Sequence, residues 1–177
     1  VFSYLSVDRQ AEISALANEK ELANIVADLY FDDKVDYLEE MPAYVVKKIL
    51  RNTSEAERKL INQFLAYPEN SAGSLMTIEF VDIKKELTVS EVLDKIRKTG
   101  PNKETIYTCY VTDSWRHLLG TISLKELVLA DVNTKIEDIM HTGPIYVNTH
   151  DDQEDIADTF KKYDLLAIPV VDNENRL

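Results

Sequence analysis

The feature that most constrains this chain is a repeat within its C-terminal half. Thr88 or Ser90 can cap a helix carrying Val92, Leu93 and Ile96. Tyr107 to Val111 then reads as a strand, Asp113 to His117 as a turn, and Leu118 to Ile122 as a second strand. After the short strand Ile145-Tyr146-Val147 the order starts again. Asp151 or Asp152 caps a helix with Ile156, Ala157 and Phe160, Ala167 to Val171 is a strand, and Asp172-Asn173-Glu174-Asn175 is the matching turn. A unit this small cannot close its own core, so its recurrence implies that two copies pack as a pair. Alternating strand and helix signals make this half α/β.

Residues 1–67 follow a different pattern. Asn18 stands three residues before Glu21, as a capping box requires, ahead of Leu22, Ile25, Val26 and Leu29 at helical spacing. Ser54 and Glu57 repeat that arrangement before Leu60, Ile61, Phe64 and Leu65. Pro42 suits a first helical turn ahead of Val45, Val46, Ile49 and Leu50. Short helices with short joints predict an α-helical hairpin or superhelical stack. At Tyr67-Pro68-Glu69-Asn70-Ser71-Ala72-Gly73-Ser74 the pattern breaks. The expected layout is therefore multi-domain, α then α/β: a helical domain at 1–67, a linker at 68–76, a first α/β unit at 77–138 and a second at 139–177. The second stops before its second strand, and the chain starts without Met, so a longer protein is expected around it.

Charge narrows the partners. The 32 acidic residues against 20 basic ones give a net charge of −12, a field that repels nucleic-acid backbones and attracts cations. Cys109 is the one cysteine, in a strand-like apolar run, so an inert buried thiol in a reducing compartment is expected. No run of apolar residues is long enough for a membrane span. His117, His141 and His150 show no ligand or triad spacing and border turns or strands, and Gly73 and Gly120 form no phosphate loop. The chain is not expected to be an enzyme.

The stretches Met76-Thr77, Tyr110-Val111-Thr112-Asp113 and Leu119-Gly120-Thr121-Ile122-Ser123-Leu124-Lys125-Glu126-Leu127 resemble a CBS domain. Ile139-Met140 and Ile168-Pro169-Val170-Val171-Asp172 resemble a second copy. The junction Tyr67 to Thr77, with Glu104-Thr105-Ile106-Tyr107, Ala130-Asp131 and Lys162-Tyr163-Asp164, is similar to the MgtE transporter family. There an acidic helical domain precedes tandem CBS (βαββα) units. The resemblance implies a homodimeric Mg²⁺ channel of the cell membrane whose cytoplasmic region binds regulatory Mg²⁺ and favours the closed pore. The transmembrane pore domain and most of the second CBS unit would lie outside these residues.

Mg²⁺ prefers oxygen ligands in octahedral geometry and keeps much of its water, so one or two carboxylates per domain suffice. Asp32 and Asp36 are one helical turn apart on one face. Read alone, Asp32 or Asp33 also suits a helix cap and Asp36 a solvated position. The resemblance instead turns Asp32 and Asp36 toward the CBS domain as metal ligands, with partners beyond Leu177. It likewise implies Glu154, Asp164 and the backbone carbonyl of Lys161. Glu154 and Asp164 are ten residues apart, about 15 Å of helix, too far to chelate one ion. Glu154 read alone equally serves the helix dipole. Asp151, Asp152, Asp155 and Asp158 add field. The mechanism expected is electrostatic: Mg²⁺ neutralises carboxylates of the helical and CBS domains and favours a compact dimer. The alternative is a CBS pair that binds an adenosine nucleotide. CBS clefts use a Ser/Thr-x-x-Asp element, and here Ser123 is followed by Glu126 where Asp is usual.

Overall fold

In the computed structural model, which describes residues 2–177, the change of sequence style at Tyr67 is also a change of folding unit. Residues to Tyr67 form one unit and Pro68–Leu177 another.

After a 3-10 turn at Phe2–Tyr4, the first unit is a run of five helices: α1 (Val7–Leu16), α2 (Glu19–Ala27), α3 (Phe31–Glu40), α4 (Ala43–Asn52) and α5 (Glu55–Phe64). Local chemistry sets their starts. The Asn18 side chain accepts from the amides of Lys20 and Glu21, and the Glu21 carboxylate accepts from the Asn18 amide at 2.9 Å. At Ser54 only half of the expected box forms. The hydroxyl accepts from the Glu57 amide at 3.2 Å, but the Glu57 carboxylate turns to Lys34 Nζ at 2.6 Å. Lys34 is buried on α3, and an unpaired buried ammonium would cost more than a missing cap bond. The apolar stripes of α2 to α5 meet in a core of Leu22, Val26, Phe31, Val35, Leu38, Val45, Ile49, Ile61 and Phe64. Phe31 and Phe64 meet edge to face at 4.8 Å, and buried Ser14 and Tyr37 hydroxyls share a hydrogen bond of 2.5 Å.

The second unit holds α6 (Ala72–Leu75), β1 (Val81–Lys84), α7 (Val89–Thr99), β2 (Thr108–Thr112), β3 (Leu118–Ser123), α8 (Leu124–Leu129), α9 (Ile136–Ile139), β4 (His141–Thr142), β5 (Val147–Asn148), α10 (Gln153–Tyr163) and β6 (Val170–Val171). β1 pairs parallel with β2, β2 antiparallel with β3, and β3 antiparallel with β4. β5 and β6 form a separate parallel pair. Both β1-α7-β2 and β5-α10-β6 are therefore parallel strands joined through a helix. Val81, Ile83, Val89, Val92, Ile96, Cys109, Val111, Ile122, Leu127 and Ile136 form one buried cluster, and burial pushes the Cys109 thiol up to about 12. Gly120 is required where β4 joins the sheet: a Cβ there would sit 2.5 Å from the His141 carbonyl oxygen.

The repeat reaches down to single hydrogen bonds. In the first turn Asp113 Oδ1 accepts from the amides of Trp115 and His117, and Oδ2 meets His117 Nδ1 at 2.8 Å. In the second, Asp172 Oδ1 accepts from the amides of Glu174 and Arg176, and Oδ2 accepts from Arg176 Nε at 2.9 Å. Arg116 and Asn175, at matching places, both have left-handed backbone, φ 72° and 63°. The two turns also bind each other: Leu118 N–H donates to Asn175 O at 3.1 Å and Leu177 N–H to Arg116 O at 3.0 Å.

The stretch read as a linker, 68–76, carries α6 and is bonded to the second repeat. The amides of Ala72 and Gly73 donate to the carbonyls of Asp151 and Thr149 at 2.8 Å, and Gln153 N–H returns to Asn70 O at 2.9 Å. Its Pro, Asn and Gly are turn signals, but they shape a docked strap. Among the described residues, no helix is long and apolar enough to cross a membrane.

Candidate functional site

The first group of candidate ligands lies on α3. This helix starts at Tyr30, an N-cap without a side-chain cap bond, so neither Asp32 nor Asp33 is the cap. Both instead occupy the first turn, where the positive end of the helix dipole favours carboxylates. Phe31, Lys34, Val35, Tyr37 and Leu38 face inward. Asp36 stands four residues after Asp32, three after Asp33 and four before Glu40, and the four form an acidic ridge, with Asp32 half-buried and Asp36 exposed. Partial burial raises the Asp36 carboxyl above the ordinary carboxylate range, and the charges of Asp33 and Glu40 raise it further. The ridge is thus electrostatically strained, and any cation beside Asp36 relieves it. Asp33 and Glu40 were not among the expected ligands, although their spacing to Asp36 was readable in the sequence.

The second group lies on α10. The Asp152 side chain caps this helix by accepting from Glu154 N–H at 2.8 Å. Asp151 accepts from Asn148 N–H at 2.7 Å instead. Glu154 is exposed in the first turn. Asp164 is exposed at the far end, in left-handed conformation with φ 50° and ψ 46°. The 11-residue helix separates them by about 15 Å, so the structure does not bring Glu154 and Asp164 together. The amides of Asp164 and Leu165 both return to Phe160 O, and the Lys161 carbonyl stays in the outward last turn beside Asp164. Among the described residues, no three His, Cys, Asp or Glu side chains converge to hold an ion by themselves. Cation binding at either place needs water or further ligands, as Mg²⁺ chemistry allows.

Ser123 and Glu126 make the capping box of α8. The Ser123 amide and hydroxyl donate to Glu126 Oε2 at 2.9 and 2.7 Å, and His141 Nε2 meets Oε1 at 2.5 Å. Partial burial alone would raise the Glu126 carboxyl, but the bonds from Ser123 and His141 outweigh it and bring it down to about 2. Thr88 and Glu91 build the same box on α7. The Ser-x-x-Glu element therefore has a structural duty of its own. His141, read from the sequence as bordering a strand, is exposed and partnered with Glu126.

Residues 1–70 match the family of MgtE intracellular N domains, and 72–133 and 136–177 match the CBS domain family. The magnesium transporter MgtE of Thermus thermophilus is 39% identical over 183 residues, an alignment covering 100% of this chain and 40% of that protein. The crystal structure of the cytosolic domain of the Mg²⁺ channel MgtE in complex with ATP superposes with a TM-score of 0.93 at 37% identity. That match covers 100% of this chain and 73% of the other. The soluble part of a magnesium transporter gives a TM-score of 0.94 at 35% identity, covering 99% and 70%.

Proposed function

The chain belongs to the MgtE family, whose intracellular N domain and CBS pair it carries in order, and on that premise we propose that it is the cytosolic Mg²⁺-sensing regulatory region of a magnesium transporter. The observation that carries the reading is the ridge of α3, where Asp36 is held above its ordinary range by burial and by Asp33 and Glu40. Carboxylates that repel one another without an ion, and are too few to chelate it fully, respond to a hydrated divalent cation instead of trapping it. Asp32 and Asp36 take the ion on the helical unit. Glu154, Asp164 and the Lys161 carbonyl supply oxygens on the CBS side. With both acidic units neutralised, a compact state is favoured, and the full-length homodimer closes its transmembrane pore; loss of Mg²⁺ restores repulsion and releases it. The region works on the cytoplasmic face of the cell membrane as a regulator, not as an enzyme.

Asp36→Asn tests this through a signed pair of effects. A carboxyl raised in the folded state opposes folding once ionised, so the variant melts higher than the parent in metal-free buffer at pH 7. It then gains less from millimolar Mg²⁺ than the parent does. An equal Mg²⁺-induced rise in both proteins overturns the assignment of Asp36.

A second reading is supported by the relative solved with ATP. Under it the CBS pair also binds an adenosine nucleotide near Ser123 and Glu126. Calorimetric titration with ATP and with the Glu126→Gln variant tests it; unchanged affinity in the variant removes Glu126 from that site.

A further inference from the structure

The helical unit separates its charges along the sequence. From Asp28 to Glu40 stand Asp28, Asp32, Asp33, Asp36, Glu39 and Glu40 against Lys34 alone, and Lys34 is paired with Glu57. From Lys47 to Lys59 the balance reverses: Lys47, Lys48, Arg51, Arg58 and Lys59 stand against Glu55 and Glu57. Lys48 is committed to the fold, its Nζ donating to Ala17 O at 2.6 Å. Lys47, Arg51 and Arg58 are exposed, and with half-buried Leu50 they line one open groove of about 510 Å³ at the joint of α4 and α5. Among the described residues no carboxylate lies within ion-pairing distance of these three. Arg58 Nη2 donates to Thr53 O at 3.1 Å, which holds its guanidinium at the joint.

An uncompensated triple cation is out of place on a chain of net charge −12, where so many carboxylates could have neutralised it. Its chemistry selects an occupant. Guanidinium forks match phosphate oxygens two at a time, and half-buried Leu50 adds an apolar lining beside them. Three cations in one small-molecule-sized groove match several charges concentrated on adjacent phosphates better than the widely spaced single charges of an acidic peptide. We propose that this groove binds a polyphosphate anion, the class comprising inorganic triphosphate and the phosphate tail of a nucleoside triphosphate. The long-range field of the chain opposes the approach of such an anion, so binding rests on contacts at Lys47, Arg51 and Arg58 and weakens steeply with salt.

The test is a titration of the ¹⁵N-labelled chain with inorganic triphosphate in Mg²⁺-free, low-salt buffer, followed by amide shifts. Inorganic triphosphate lacks adenosine and Mg²⁺ is absent, so the result is independent of both readings above. Saturable shifts are expected at Lys47, Arg51 and Arg58. Binding should weaken at least tenfold in Arg51→Gln/Arg58→Gln, and clearly in Lys47→Gln, which leaves the Thr53 bond intact and the melting temperature unchanged. Orthophosphate should bind at least tenfold more weakly. Competition by ATP for the same amides assigns the nucleotide tail as a source, and its failure assigns inorganic polyphosphate. The proposal is overturned if no saturable shift appears, if the variants bind equally well, or if hexaglutamate matches triphosphate.

Discussion

Between the first and second CBS units the turn is copied bond for bond, while the helix leading into it is not. Asp113 and Asp172 accept the same pair of amides, and Arg116 and Asn175 take the same left-handed backbone. Yet α7 buries Val89, Val92 and Ile96, whereas α10, of equal length, buries no residue. α7 packs into the core around the four-stranded sheet, whereas the sheet that α10 connects, β5 with β6, has only two strands. A turn closed by one carboxylate can be repeated wherever the sequence repeats. A helix face is buried only where a sheet is there to cover it.

The largest effect expected from this contrast is in packing. Ile83→Ala, at a fully buried position of β1, should cost about 2–5 kcal/mol, and Ile156→Ala at a half-buried position of α10 less than about 1 kcal/mol. Urea denaturation of both variants measures the gap, and equal losses would break the comparison. A smaller effect sharpens the identity of the turns. Glycine relieves left-handed strain, so Arg116→Gly should stabilise by about 1 kcal/mol and Asn175→Gly by only a few tenths, since asparagine tolerates that backbone. Thermal melts that rank them the other way would show that the two turns differ in strain. The smallest effect is in pH. For both Asp113 and Asp172 burial acts upward, but His117 and Trp115 in one turn, and Arg176 and Glu174 in the other, outweigh it and lower the carboxyl. Each carboxylate therefore contributes fully above the ordinary aspartate value of 3.8 and loses its contribution as pH falls through the lowered native value. Asp113→Asn and Asp172→Asn should each flatten the acid limb of the stability curve, measured by melts below pH 4. A limb unchanged in either would assign it to other groups, such as Glu126.

What was legible in the sequence is what is local. Asn18–Glu21 and Thr88–Glu91 are capping boxes because both partners lie within one turn, and no distant residue competes for them. Ser54–Glu57 has the same spelling, but Lys34, 23 residues away, takes the carboxylate. Strand length was overread in the second repeat: pairing is confined to Val147–Asn148 and Val170–Val171, within a longer apolar run on each side. The docking of 70–73 on 148–153 joins residues about eighty apart, beyond any periodicity argument. Of the candidate site, Asp32 and Asp36 were visible as a one-turn pair. The contribution of Asp33 and Glu40 appears only with the partial burial of that face. The Ser123–Glu126 box of α8 is equally local, and only the bond from His141, 15 residues on, lies beyond what spacing can show.

The strap at 70–73 has a mechanical consequence. The peptide link leaving Tyr67 enters a segment fastened by three backbone bonds to Asp151, Thr149 and Gln153, at the doorstep of α10. The strap therefore belongs to the edge of the second repeat: opening the start of α10 would free residues 70–73 as well, so the two should lose amide-exchange protection together.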